Sequence, residues 1–261
     1  MAKAPPAETI DLHAFYERMV RSAASLPDLY EAMEGWSASV VAENPILECQ
    51  RGCARCCKHQ VLVGEREWSI IHAWLRENLP KQQRRRIVKR VHDQMEQLGN
   101  PLKRWLGMRN KAPQAFVRAV GKGFGTEATR CPFLGNDNHC EIYPVRPFVC
   151  RAYGRAEVPS GVAMLCEVFT GRLRQQPDAW EGMKLESMRL MSPKYFDLNK
   201  SRAGADGRFT ITSVHILRNE TGDGDIAKHA APLSAEKTYP VVTRDDFPKS
   251  ASNKAPVSTA G

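Results

Sequence analysis

Eight cysteines, gathered into two groups, constrain this 261-residue chain more than any other feature of its sequence. The first group is Cys49, Cys53, Cys56 and Cys57, and the second is Cys131, Cys140, Cys150 and Cys166. The N-terminal residues lack the apolar stretch of an export signal, so we expect a cytoplasmic protein in a reducing environment. There, clustered cysteines are metal ligands or redox-active thiols more often than disulfides. The sequence therefore predicts that all eight cysteines bind metal.

The spacing of the cysteines leaves three kinds of metal centre open. Short gaps let two thiolates turn onto one ion, whereas adjacent side chains such as Cys56 and Cys57 are expected to point apart and to serve different parts of the centre. Eight thiolates can supply two zinc sites, one 4Fe-4S cluster with spare ligands, or a multinuclear centre. Glycine- and arginine-containing loops favour the iron–sulfur cluster, because backbone N–H groups and cationic side chains offset its negative charge. Zinc is the alternative.

Two arginines of the second cysteine region, Arg146 and Arg151, are candidate cofactor-binding residues. They lie close in sequence to Cys150. A planar guanidinium can neutralise the negative charge of thiolates, or hold a carboxylate or phosphate group. A structural role for both arginines is the alternative.

Outside the cysteine groups, apolar residues recur at helical spacing. The sequence predicts helices at about 10–22, from Pro27 to Asn44, from Glu65 to Leu79, and at about 82–98, 162–175 and 178–191 with Asp178 as its N-cap, together with one strand at 207–217. Glu67 would be a first-turn carboxylate of the third helix. The expected fold is mainly α: an irregular helical domain in which two cysteine-rich loops are organised around a metal centre, with at most one short strand pair.

The sequence divides into four predicted segments. They are N-terminal helices that pack on the core (1–47), a cysteine-cluster metal-binding domain (48–200), a segment that could form a strand (201–218) and a disordered tail (219–261). No run of 18 apolar residues occurs. We therefore expect no membrane-spanning helix and no membrane partner.

A net charge of +9 favours anionic partners without identifying one. The strongest concentration of charge is the basic region 81–111, which holds ten Lys or Arg against two Asp or Glu. This region could bind an unidentified macromolecular partner, either a protein or a nucleic acid. The alternative is the solvated outer face of an amphipathic helix.

A longer pattern runs through both cysteine groups. Its residues are Cys53-x2-Cys56-Cys57, Cys131-Pro132-Phe133-Leu134, Cys140-x-Ile142-Tyr143, Arg146-Pro147 and Cys150-Arg151. The pattern resembles that of the YkgJ-type cysteine-cluster family, also described as the CxxCxxCC zinc- or iron-chelating domain. The resemblance covers about residues 49–166. One spacing departs from the family, since three residues rather than two separate Cys49 from Cys53.

The resemblance implies a cytoplasmic protein that chelates an iron–sulfur cluster or zinc through about eight cysteines. Flagellin lysine N-methylases carry a similar cysteine set. Our first hypothesis is therefore a centre that supports redox or S-adenosylmethionine-dependent modification of a macromolecular partner. The alternative is a non-enzymatic, structural zinc-binding module whose basic surface binds nucleic acid or an acidic protein. The spacing of Cys49, Cys53 and Cys56 also coincides with the cluster motif of radical S-adenosylmethionine enzymes, but no alternation of strands and helices follows it.

Overall fold

The computed structural model describes residues 11–50, 52–58, 61–96, 130–157, 163–199 and 209–219. These residues contain eight α-helices, which confirms the mainly α fold. The helices are α1 (Leu12–Ser22), α2 (Leu26–Glu43), α3 (Glu65–Asn78), α4 (Lys81–Glu96), α5 (Phe148–Ala152), α6 (Glu167–Gln175), α7 (Met188–Asn199) and α8 (Thr212–Arg218). The strands are β1 (Leu62–Gly64), β2 (Arg155–Glu157), β3 (Ala163–Leu165), β4 (Glu186–Ser187) and β5 (Phe209–Ile211). None of the described helices is both long and apolar enough to cross a membrane.

The first two helices form an antiparallel pair whose ends are set by local sequence. Ser25 and Asp28 form a reciprocal capping box at the start of α2. The helix ends at Asn44, before Pro45, because proline cannot continue the hydrogen-bond ladder. Gly35 lets the Tyr16 ring of α1 lie directly against the α2 backbone, where any Cβ would collide with the ring.

Short strands form two small sheets in the described residues, which corrects the expectation of at most one strand pair. β1 pairs with β5 antiparallel, and the second sheet has the order β3-β2-β4, with β2 antiparallel to β3 and parallel to β4. Each strand has only two or three residues. Such strands are too short to produce a visible alternation of apolar and polar residues.

Three predictions of local structure were wrong in part or in whole. The predicted 162–175 helix begins only at Glu167, after β3. A 3-10 turn, Gly182 at φ +74° and β4 occupy most of 178–191, and α7 begins at Met188. The predicted 207–217 strand is confined to β5, and the residues after it form α8. In the last two cases, pairing with distant strands or burial against the core overrides local propensity.

The core lies between the N-terminal helices and the chain around the second cysteine group. Trp68 of α3 is at its centre, with its ring stacked 4.9 Å from that of His215 in α8 and 6.4 Å from that of Phe133. The helix α1 packs on α2 and α7, and α2 packs on α5 and α7. The core therefore places the loop residue Phe133 and the short helix α5 in fixed positions. The predicted 219–261 tail lies outside the described residues except for Asn219, and so does the part of the basic region beyond 96.

Candidate metal centre

A sharply folded loop carries the first four cysteines. It follows a 3-10 turn at Pro45–Leu47 and ends in a second 3-10 turn at Arg55–Lys58. Gly52 and Ala54 adopt left-handed φ values of +80° and +50° on either side of Cys53. The Cys53 N–H donates to the Gln50 carbonyl at 3.1 Å and the Cys57 N–H to the Ala54 carbonyl at 3.0 Å, so backbone hydrogen bonds hold the turns of this loop.

The second cysteine group lies on three different elements. Cys131 and Cys140 stand in a tight loop closed by a bridge between Leu134 and Cys140. Cys150 lies in α5, and Cys166 is the N-cap residue of α6. One backbone hydrogen bond joins this group to the first, because the Cys131 N–H donates to the Cys57 carbonyl at 2.6 Å.

Helix α4 holds the second cysteine loop in place. The guanidinium of Arg90 donates to the Pro132 carbonyl at 2.8 Å and forms an ion pair with Glu141 at 2.8 Å. The side-chain amide of Gln94 donates to the Arg130 carbonyl at 2.6 Å. Part of the basic region therefore braces the cysteine loop.

The charge of Cys56 raises the pKa of each of four thiols, which we call the four-thiol group: Cys57, Cys131, Cys140 and Cys150. Burial, together with the charge of Cys140, raises the pKa of Cys131 to about 12. Burial and the charges of Cys131 and Cys140 likewise hold the pKa of Cys150 well above its usual value. Thiols that oppose one another's ionisation lie close together, and a bound cation would relieve that repulsion.

Cys56 differs from its neighbours. Its sulfur lies 3.9 Å from that of Cys57, whose hydrogen bond lowers the pKa of Cys56 to about 7. The charges of Arg146 and Arg155 contribute to this lowering. The pKa of Cys57 is raised by the same contact. Cys56 is therefore the thiol of this pair that ionises more readily.

The remaining thiols, Cys49, Cys53 and Cys166, line one cavity of about 280 Å³, and we call them the cavity thiols. Val168 and Phe169 form an apolar wall of the same cavity. Burial raises the pKa of Cys49, and repulsion by Cys53 adds to it.

The donor set suits zinc or iron, because all eight cysteines are free of disulfides and soft thiolates are preferred ligands of both. In the ranges that the structure describes, no three His, Cys, Asp or Glu side chains converge in the arrangement that holds a metal ion. The thiols are therefore close neighbours rather than an assembled coordination sphere. The thiols suit a metal because thiolates are its preferred ligands and because they lie near one another.

Comparison with known families adds the deciding observation. Residues 48–167 match the family described as CxxCxxCC, putative zinc- or iron-chelating domain. The match spans both cysteine groups. This confirms the family resemblance and supports zinc or iron chelation as the function of these residues. No curated protein and no solved structure matches the chain.

Both arginines singled out from the sequence, Arg146 and Arg151, bind Glu34 of α2. The Arg146 guanidinium lies 2.8 Å from the Glu34 carboxylate, and Arg151 donates to the same carboxylate. Arg151 also donates to the Arg146 and Pro144 carbonyls at 2.9 and 3.0 Å. Both side chains are buried. The contacts shown are thus to protein, and their role as cofactor-binding residues stays a prediction.

Sequence reasoning missed the position of Glu67, which is 1% exposed in the first turn of α3. Its carboxylate accepts hydrogen bonds from the Tyr30 hydroxyl at 2.5 Å, the Phe148 N–H at 2.6 Å and the Tyr195 hydroxyl. Burial raises its pKa despite these donors. Glu67 thereby fixes the start of α5, two residues before Cys150. The only sequence signal was its place in the first turn, which is also typical of an exposed carboxylate.

A second buried carboxyl, Glu186, lies in β4 and is 0% exposed. Neither of its oxygens has a hydrogen-bond partner of normal geometry among the described residues. Burial raises its pKa to about 8, against a partial lowering by the charge of Arg155. The charge of Arg155 also lowers the pKa values of Cys49 and Cys56, so one guanidinium influences both this carboxyl and the first cysteine group.

Proposed function

We propose that the protein binds an iron–sulfur cluster of the 4Fe-4S type through its CxxCxxCC domain. In this proposal the cluster supports redox or S-adenosylmethionine-dependent modification of a macromolecular partner. The observation that carries the binding proposal is the gathering of unpaired thiols from separate elements, joined at Cys131 and Cys57. The four-thiol group would hold the cluster, and the bound cluster would supply one-electron transfer.

Positive charge around the thiols supports iron–sulfur over zinc. The charges of Arg146 and Arg155 lower the pKa of Cys56, and the charge of Arg90 lowers that of Cys131. In the second cysteine loop, the backbone N–H groups of Phe133 and Ile142 donate to the Cys131 and Cys140 thiols. An anionic cluster gains from such cations and donors, because they offset its negative charge and tune its potential.

Anaerobic purification tests the proposal. A brown protein with broad visible absorption and about four irons per chain is the expected result. Acid-labile sulfide measured in the same sample should match the iron. A colourless protein with two zinc ions per chain would contradict the iron–sulfur proposal. Material free of iron and zinc would contradict metal binding altogether.

A structural zinc module with a basic binding surface is the second candidate function. It is favoured by the exposed side chains of Arg85, Arg86 and Lys89 along α4. Arg84 donates to the Leu79 carbonyl at 2.5 Å and Arg90 braces the cysteine loop, so part of the positive charge serves the fold. Under this candidate, Arg85→Gln with Arg86→Gln weakens binding to duplex DNA or RNA and reduces its dependence on salt. Electrophoretic mobility shifts at several salt concentrations measure both effects.

We also propose a cytoplasmic location. Eight cysteines without a disulfide among them support this, since a reducing compartment keeps thiols available for metal. Fractionation followed by immunodetection tests it directly.

A further inference from the structure

A cavity of about 280 Å³ lies between the first cysteine loop and α6. Its volume is close to the lower end of known small-molecule pockets. The four-thiol group does not line it, so the proposed cluster site leaves this space free. Besides the cavity thiols, the lining residues are Gln50, Gly52 and Arg55 from the loop and Val168, Phe169 and Arg172 from α6.

One wall of the cavity is apolar and held in place by the fold. Val168 and Phe169 form this wall, and the Phe169 side chain is buried in the core. The Arg172 guanidinium lies 5.8 Å from the centre of the Phe169 ring and donates to the Ile46 and Glu48 carbonyls at 3.0 and 2.7 Å. Arg172 thereby ties α6 to the start of the first cysteine loop. The cavity is therefore formed by the protein itself.

The Arg55 guanidinium gives the cavity a positively charged side. In the described residues it forms an ion pair with Glu167 at 3.5 Å, and both side chains are exposed. Exposed pairs of this kind are weak. A planar guanidinium can hold a carboxylate through two parallel N–H···O bonds. A carboxylate in the cavity can therefore compete with Glu167 for Arg55.

The start of α6 adds to the positive potential. Cys166 is the N-cap residue of this nine-residue helix, and its side chain makes no capping hydrogen bond. The first turn of a helix carries N–H groups without intrahelical partners and the positive end of the dipole. This field favours an anion. The guanidinium and the apolar wall together define which kind of anion fits.

We infer that the cavity binds a small organic carboxylate, whose apolar part lies against Val168 and Phe169 and whose carboxylate pairs with Arg55. An inorganic anion would leave the apolar wall uncovered, and a neutral apolar molecule would leave the guanidinium without a counter-charge. The site requires no metal. It is a further binding function, separate from the proposed cluster on the four-thiol group.

Benzoate, an aromatic carboxylate, is the probe for this site. Isothermal titration calorimetry of the full chain at fixed ionic strength should give a Kd of about 1 mM or lower. Benzamide has the same shape without the charge, and acetate has the charge without the ring. Both should bind about tenfold more weakly or worse. Equally tight binding of either compound, or no binding of benzoate, would overturn the inference.

Variants test which side chains hold the probe. Arg55→Gln should raise the Kd of benzoate by about threefold or more and leave that of benzamide unchanged. Val168→Thr, which places a hydroxyl in the apolar wall, should weaken both compounds. Arg174→Gln, an exposed arginine of α6 that does not line the cavity, is the matched control and should bind benzoate as wild type does. Equal benzoate binding by Arg55→Gln and wild type would overturn the inference.

Metal content measured in the same samples separates this inference from the proposed function. It should be equal in wild type and all three variants, because none of the replaced side chains is a thiol. Protein that binds metal but not benzoate would overturn the carboxylate site alone. Protein that binds benzoate but no metal would overturn the proposed function alone.

Discussion

At the scale of single residues, Cys57 joins the two cysteine groups twice. Its carbonyl accepts the Cys131 N–H, and its thiol lies among those of the second group. The sulfur of the neighbouring residue Cys56 lies 3.9 Å from that of Cys57, and the pKa of Cys56 is shifted in the opposite direction. The expectation that these adjacent side chains point apart was wrong, because both residues lie in a 3-10 turn rather than in extended backbone.

Replacing Cys57 with serine should remove metal and stability together. A serine hydroxyl is a weaker metal ligand than a thiolate, so the four-thiol group would lose metal, and the metal would no longer link the two cysteine loops. We expect the thermal unfolding midpoint to fall by about 5 °C or more, with metal content reduced in the same preparation. Circular dichroism and elemental analysis measure the two effects. Full metal content in Cys57→Ser would refute a centre shared between the two loops.

Glu186 predicts a dependence of stability on pH. Its pKa is raised from 4.5 to about 8 by burial, so below pH 4.5 the carboxyl is neutral in both the folded and unfolded states. As the pH rises from 4.5 to 8, the unfolded state ionises first and the folded state loses relative stability. Glu186→Gln cannot ionise. The free energy of unfolding of this variant should equal that of wild type near pH 4.5 and be about 2–4 kcal/mol higher than that of wild type at pH 7.5.

Urea unfolding at the two pH values measures this difference. Glu181→Gln, at an exposed position shortly before β4, is the control and should show no such gain. An equal gain for Glu186→Gln at both pH values would show that the carboxyl is not held neutral by burial.

At the scale of elements, Gly154 links β2 to the Cys166 region. Its φ is +92°, and a Cβ there would lie 3.2 Å from a ring carbon of Phe169 and 3.4 Å from the Cys166 Cβ. Gly154→Ala should cost about 1–3 kcal/mol of stability, because an L side chain is strained at this φ and crowds both neighbours. Thermal unfolding measures the loss.

The matched control is Gly171→Ala in α6. A Cβ at this position would meet nothing within 4 Å, and alanine favours a helix over glycine by about 0.5–1 kcal/mol. We therefore expect the unfolding midpoint to rise slightly in this variant. Destabilisation of similar size in both variants would contradict a special backbone requirement at Gly154.

The elements that could be predicted from the sequence are those whose signals are local. The first four helices follow from apolar spacing and from stops at Asn44 and Pro80. Strand β4 could not be predicted, because its residues are defined by pairing with β2, some 30 positions earlier. The same holds for the helix that follows β5, whose residues Ser213 and His215 are polar in sequence yet buried in the fold.

At the scale of the whole molecule, the thiols of the site could be predicted but their supports could not. Sulfur chemistry marks cysteines wherever they occur, whereas Glu34 and Glu67 become part of the site only through contacts with residues far along the chain. Glu34 binds Arg146 and Arg151, and Glu67 receives the Phe148 N–H. Such partners are set by packing of α2 and α3 on α5, which no local pattern records.

Removal of metal should loosen the cysteine loops more than the helices around them. The loops around 49–58 and 130–147 have only short turns and one isolated bridge as regular structure. Under reducing conditions, a strong chelator should lower the unfolding midpoint by about 10 °C or more. Hydrogen exchange should increase most in these loops, with the centre of α2 least affected. Unchanged exchange in the loops would contradict a metal that organises them.

The wide separation of the thiols along the chain affects how the protein is made. Cys49 and Cys166 line the same cavity although they are more than 100 positions apart. Ribosomes add on the order of 5–20 residues per second, so the first cysteine loop waits roughly ten seconds for its partners. During that interval four closely spaced sulfhydryls emerge without the rest of their set. Newly made chains are therefore most vulnerable to oxidation before translation is complete.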